Sequence, residues 1–88
     1  MENPMSDEMT LSPAQSRAGR ALIEWTRDDL AEAAKTARST LADFEAGKRS
    51  PHPRTLAAVR TALESAGVEF IAENGGGAGV RLRKKGGS

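Results

Sequence analysis

The sequence predicts a mainly α fold in which four to five short helices are followed by a C-terminal β-hairpin. Apolar residues recur every three or four positions as far as Ala66, which is typical of helices that bury one face. Beyond Gly67 apolar and polar residues alternate, as in strands, and a glycine-rich run separates two such segments. With 88 residues and 38% hydrophobic content, the chain has enough apolar side chains for one small core.

The ordered helical domain is predicted to span residues 11–67. Residues 1–10 are polar and acidic and lack a sustained apolar period, so we predict a disordered leader. Ser12-Pro13-Ala14-Gln15 predicts the start of the first helix, because serine and glutamine side chains can bond free amides and proline suits the first turn. This helix is expected to end near Glu24. Its buried face is predicted from five apolar residues at helical spacing: Ala14, Ala18, Ala21, Leu22 and Trp25.

A second and a third helix are predicted on either side of a short break. Thr26 can cap the second helix, with Asp28 and Asp29 at the positive end of its dipole. The apolar period is then interrupted for three residues, and the third helix is expected from about Arg38 to Ala46, before Gly47 ends it. The inward-facing residues of these two helices are predicted to be Leu30, Ala31, Ala34, Leu41 and Phe44.

A fourth helix and a hairpin complete the predicted fold. Pro53 is placed to open the helix. Its inner face is predicted to contain Leu56, Val59, Leu63 and Ala66. Residues 68–83 are predicted to form a β-hairpin or dimerisation strands, and residues 84–88 a basic tail. Because an isolated two-stranded hairpin is marginally stable in water, these strands must pack on the helices or pair with another chain, which leaves a homodimer open.

Composition excludes several classes of function. The chain has no cysteine and a single histidine, His52, so it offers neither a thiolate metal site nor a set of catalytic or metal-binding histidines. We therefore predict no enzyme activity, no metal and no cofactor. No apolar run is long enough for a signal peptide or a membrane span, and we expect a cytoplasmic protein without a membrane partner.

The net charge is only +1, but residues 35–54 carry five basic residues against two acidic ones. This is a local positive surplus on the third helix and the following loop.

The segment from Trp25 to Gly47 resembles the helix-turn-helix of the phage-repressor, or XRE-type, family of small transcriptional regulators. The residues that carry the resemblance are Leu30-Ala31 in the second helix, Ala34 before the turn, Arg38-Ser39-Thr40-Leu41 at the start of the third helix, and Phe44-Glu45 with Gly47 at its end. The resemblance implies a repressor-like domain that inserts its third helix into the major groove of double-stranded operator DNA.

The resemblance also implies roles for particular side chains, in three groups. The residues that would read bases are Arg38, Ser39 and Asp43, with Thr40 near the DNA backbone. The residues that would bind backbone phosphates are Arg27, Lys48, Arg49 and Arg54. The residues that would form a structural ion pair are Arg20 and Glu45.

Three residues depart from the family pattern, and one of them is Arg27, which stands where the family commonly has a glutamine that contacts a backbone phosphate. Lys35 stands where the family usually has a glycine, and Ala37 stands where it usually has a side-chain cap, each at a cost of about 1 kcal/mol. Together with the acidic residues of the second helix, these departures leave an alternative function open. In this alternative the same motif binds a protein and acts as an antiactivator or antitoxin that masks a regulator or a toxin. A protein that binds both DNA and a toxin is a third alternative.

Overall fold

The computed structural model describes residues 11–73 and 75–83. In this part of the chain, four helices precede one antiparallel hairpin, which confirms the predicted fold class. The elements are α1 (Pro13–Leu22), α2 (Arg27–Ala34), α3 (Arg38–Glu45), α4 (Pro53–Ser65), β1 (Val68–Ile71) and β2 (Gly79–Leu82). The predicted leader over residues 1–10 and the predicted tail over residues 84–88 lie outside the described residues.

The start of α1 is fixed by the predicted pair of side-chain caps. The Gln15 backbone amide donates to Ser12 Oγ at 3.0 Å, and the Ser12 amide donates to Gln15 Oε1 at 3.1 Å. These bonds satisfy amides that a helix start would otherwise leave unpaired. The helix ends at Leu22, two residues earlier than expected, because the chain turns at Glu24, which has a φ of 57°.

The buried face of α1 differs from the predicted one, and that prediction was wrong. The first four of the residues predicted to be inside are exposed and the last is half-buried: Ala14, Ala18, Ala21, Leu22 and Trp25. Gln15, Ser16 and Gly19 are buried instead. A Cβ atom at Gly19 would lie 3.4–3.5 Å from Leu63 and Val68, which is ordinary van der Waals contact, so this face of α1 packs directly against the core.

The turn between α2 and α3 brings the two helices together as the sequence predicts. Thr26 caps α2, because its Oγ1 accepts from the Asp29 amide at 3.0 Å. Lys35 then adopts the left-handed conformation, with φ 55° and ψ 46°. Ala37 precedes α3 and provides no side-chain cap. The helix ends before Gly47, whose φ of 77° favours glycine.

The hairpin packs against α1 and α4. Its strands pair from Val68 opposite Leu82 to Ile71 opposite Gly79. Gln15 Nε2 donates to the Gly79 carbonyl oxygen at 3.2 Å, which links α1 to β2 directly. The strands are therefore stabilised within one chain, as one of the two predicted arrangements requires.

The core lies between α1, α2, α3, α4 and β1. Its buried apolar residues are Leu11, Leu30, Ala31, Ala34, Leu41, Phe44, Val59, Leu63 and Val68. Leu56 and Ala66, also predicted on the inner face of the fourth helix, are half-buried. Burying a leucine or phenylalanine contributes about 1.5–3 kcal/mol, so this cluster holds α3 in a fixed position. None of the helices in the described part of the chain is long and apolar enough to span a membrane.

Candidate nucleic-acid interface

Helix α3 packs one face against the core and exposes the N-terminal residues of its opposite face. Leu41 and Phe44 point into the core. Arg38 and Ser39, in the first turn, are exposed, whereas Thr40 and Asp43 are half-buried. Of the four residues predicted to face DNA from this helix, the two at its N-terminal end are thus the most accessible.

The starts of α2 and α3 border a shallow groove, here called the reading groove. It is lined by Arg27, Asp28, Arg38, Ser39 and Ala42. Within it, Arg38 Nη1 donates to Asp28 Oδ2 at 3.1 Å, and the two side chains are 73% and 65% exposed. Two candidate DNA contacts from different helices, Arg27 and Arg38, thereby share one surface.

The loop after α3 supplies exposed bases at the other end of the helix. Lys48 and Arg49 are exposed and border a groove that also contains Ser12 at the start of α1. The Lys48 amide donates to the Asp43 carbonyl oxygen at 2.8 Å, so the loop turns sharply away from the helix. Basic side chains at both ends of α3 are suited to bind phosphates on either side of a DNA groove.

A third group of basic residues surrounds a cleft of about 300 Å³, here called the basic cleft, between the α2–α3 turn and the start of α4. Its polar lining consists of Lys35, Thr36, His52, Arg54 and Thr55. No acidic residue lines it among those that the structure describes. His52 Nδ1 accepts from the Arg54 amide at 3.0 Å, so a neutral His52 carries its proton on Nε2 and can donate from there.

Among the residues of this cleft, the resemblance implies a DNA contact only for Arg54. Lys35 is expected to replace a family glycine, and His52 is expected to have no metal-binding or catalytic role. The local positive surplus was the signal that could have included them. Within residues 11–73 and 75–83, no group of three or more potential ligands could hold a metal ion.

Arg20 and Glu45 form a buried ion pair that joins α1 to the end of α3. The shortest contact, Arg20 Nη2 to Glu45 Oε1, is 2.7 Å, and Arg20 Nε also donates to Oε2 at 3.0 Å. The Glu45 carboxylate further accepts from Ser16 Oγ at 2.5 Å. Glu45 is 2% exposed and the Arg20 side chain 19% exposed, so Arg20 is engaged inside the domain and is not available as a DNA contact.

Comparison with known proteins agrees with this geometry. A helix-turn-helix family model (HTH_3) matches residues 17–70, which is more than half of the chain and covers α2, α3 and α4 completely and β1 as far as Phe70. No individual curated protein matches the chain. The family is one of DNA-binding regulators, and it is the family that the residues from Trp25 to Gly47 resemble. The chain belongs to the XRE-type helix-turn-helix family.

Proposed function

We propose that this protein is a transcriptional regulator that binds operator DNA by placing the start of α3 in the major groove, and represses by occupying a promoter. The exposure of Arg38 and Ser39 on a helix whose other face is locked by Leu41, Phe44 and the buried Glu45 carries the proposal. A helix held in this way presents its N-terminal side chains to base edges without moving.

Three side chains of α3 have the chemistry to read bases. Arg38 can donate two parallel hydrogen bonds to O6 and N7 of guanine. Asp43 can accept from the amino group of cytosine, and Ser39 can act as donor or acceptor. Thr40 lies nearer the DNA backbone in this arrangement. Each good base contact is worth about 1–3 kcal/mol of discrimination.

Affinity would come mainly from phosphate contacts around the helix. Candidates are Arg27 in the reading groove, Lys48 and Arg49 in the loop, and Arg54 in the basic cleft. Lys35 joins this set because it lines the same cleft as Arg54. Each neutralised phosphate contributes about −0.9 to the slope of log affinity against log salt, so binding should weaken steeply as salt rises.

The test begins with selection of the preferred sequence from a randomised duplex library. Fluorescence anisotropy then measures the affinity of wild type and Arg38→Ala for single-base variants of that sequence. Arg38→Ala should abolish the preference at one guanine. Arg81→Ala is a matched control, because Arg81 is also an exposed arginine paired with a carboxylate, Glu69, but lies on the hairpin. Unchanged base preferences in Arg38→Ala would contradict the proposal.

We propose that the regulator acts as a homodimer. Two large apolar side chains, Leu22 and Leu82, are 37% and 53% exposed, and the hairpin has only two strands. A dimer with two-fold symmetry would bind half-sites about one helical turn, ~34 Å, apart. Sedimentation equilibrium of the free protein tests this, since a monomer at all accessible concentrations would contradict it.

A protein partner is the second candidate function. It is favoured by the exposed acidic residues Asp28, Asp29 and Glu32 on α2, of which Asp28 contacts Arg38 and opposes phosphate binding there. In this alternative the same surface masks an activator or a toxin, and a protein with both roles would bind DNA as well. Co-purification with the products of neighbouring genes, together with a gel shift on the upstream DNA, separates the two functions. The alternative holds if Arg38→Ala abolishes partner capture and wild type never shifts DNA.

A further inference from the structure

An acidic side chain lies within the reading groove. Asp28 is in the first turn of α2, and its carboxylate accepts from Arg38 at 3.1 Å across the two helices. The other acids of α2 differ from it. Asp29 Oδ2 accepts from the Thr26 amide as part of the helix cap, and Glu32 has no side-chain hydrogen bond to any described residue. Asp28 is therefore the acid of this helix that contacts a candidate base-reading residue.

The contact leaves Arg38 competent to bind a base. A guanidinium carries five N–H donors in one rigid plane, and Asp28 engages a donor on Nη1. Enough donors stay free for the two parallel bonds that guanine accepts. A carboxylate on one side restricts the rotamers of a long, exposed side chain. An arginine oriented before binding loses less entropy when it docks on a base.

The same carboxylate opposes binding to DNA in general. Its negative charge lies in a groove that would face phosphates, so it weakens contacts that do not depend on sequence. Orientation of Arg38 favours the correct base, whereas repulsion disfavours every sequence equally. The ratio of affinities for right and wrong sequences therefore isolates the first effect from the second.

We propose that Asp28 is a positioning residue for Arg38, and that it sets how strongly the protein prefers guanine at the base that Arg38 reads. This inference rests on the proposed function, because it requires that Arg38 contacts a base. It adds a specificity determinant on α2, outside the helix that enters the groove.

The experiment compares two duplexes, the selected sequence and a variant in which adenine replaces the guanine whose preference depends on Arg38. Asp28→Ala should lower the affinity ratio of the two by about two- to fivefold, the coupling typical of an exposed ion pair. It should also tighten binding to the adenine duplex. Asp28→Glu should restore part of the ratio, because it keeps the carboxylate. Glu32→Gln, the matched control, removes a negative charge from the same helix and should leave the ratio unchanged.

A double-mutant cycle tests that Asp28 acts through Arg38. In an Arg38→Ala background, Asp28→Ala should leave the ratio unchanged. Both duplexes are bound by the same protein sample, so a partial loss of folded protein cancels in the ratio. The inference is overturned if Asp28→Ala leaves the ratio at its wild-type value or changes it equally without Arg38. If Arg38→Ala alters no base preference at all, it is the proposed function that fails.

Discussion

Replacing Arg20 with alanine should destabilise the domain severely, although Arg20 is outside the candidate DNA-binding surface. The substitution removes all three hydrogen bonds from the guanidinium to the Glu45 carboxylate and leaves a carboxylate that is 2% exposed with a single side-chain partner, Ser16. Breaking a buried ion pair in this way costs about 3–5 kcal/mol. Because the Arg20 side chain is 19% exposed and water can approach it, we expect the lower end, about 3 kcal/mol.

That loss is large relative to the stability of a small domain. At about 0.05–0.15 kcal/mol per residue, a chain of this size has roughly 4–13 kcal/mol in total. Urea unfolding followed by far-UV circular dichroism measures the change. With a slope of about 1 kcal/mol per molar urea, the midpoint should fall by about 3 M. Fluorescence of Trp25 provides a second probe.

Arg17→Ala is the matched control for Arg20→Ala. Arg17 lies on the same helix and carries the same charge, but it donates to the backbone carbonyl oxygen of Glu45 and leaves no buried carboxylate behind. It should cost about 1 kcal/mol. A double variant, Arg20→Met with Glu45→Leu, should recover much of the stability, because it removes both charges. If Arg20→Ala costs no more than Arg17→Ala, the ion pair does not hold α1 to α3 and the reasoning is refuted.

Three further predictions concern the turn, the helix cap and the loop. Lys35→Gly should raise the midpoint of thermal unfolding, because glycine adopts the φ of 55° without the penalty of about 1 kcal/mol that a side chain incurs. Ala37→Ser should stabilise the domain against urea by about 1 kcal/mol, since α3 has no side-chain cap; an unchanged midpoint would show that the serine hydroxyl does not reach the amide. Lys48→Ala and Arg49→Ala should each make the salt slope of DNA binding shallower by about 0.9, as measured by anisotropy, and an unchanged slope would remove that residue from the phosphate contacts.

The helix boundaries, apart from the C-terminal end of α1, could be predicted because they depend on neighbours in the sequence. The Ser12 and Thr26 caps join residues three positions apart, and Gly47 ends α3 through its own backbone conformation. Such signals are complete within a single turn of chain. Likewise, the inward positions of Leu41 and Phe44 follow from helical spacing, and with them the outward position of Arg38.

The buried face of α1 could not be predicted, because it depends on residues distant in sequence. Hydrophobicity predicts that Ala18 is buried and Ser16 exposed. Ser16 is buried instead, because its hydroxyl donates a hydrogen bond to the carboxylate of Glu45, 29 residues away in the sequence. Gly19 is buried because Leu63 and Val68 lie against it. The apolar periodicity of this segment correctly indicated a helix, but apolar spacing alone could not identify the face that contacts the core.

The same limit explains the residues missed at the candidate interface. The pair of Asp28 and Arg38 forms only when α2 and α3 cross, and the basic cleft forms only when the turn meets the start of α4. Lys35 and His52 are 17 positions apart in the sequence and acquire a common surface through that packing. Sequence spacing therefore located the third helix, and the family resemblance implied its role in DNA binding, but neither identified the side chains that surround it.

The two ends of α3 are held in different ways, and this separates stability from recognition. At the C-terminal end, Glu45 is buried and bonded to α1. At the N-terminal end, Ala37 provides no cap and Arg38 is held from outside by an exposed carboxylate. Under the proposed function, changes at Glu45 itself or at its partners Arg20 and Ser16 should therefore alter DNA binding only through the amount of folded protein. Under the proposed function, changes at Arg38 or at its partner on α2 should alter base preference while the core that fixes the helix stays intact, so operator specificity is expected to depend on substitutions where the starts of α2 and α3 meet.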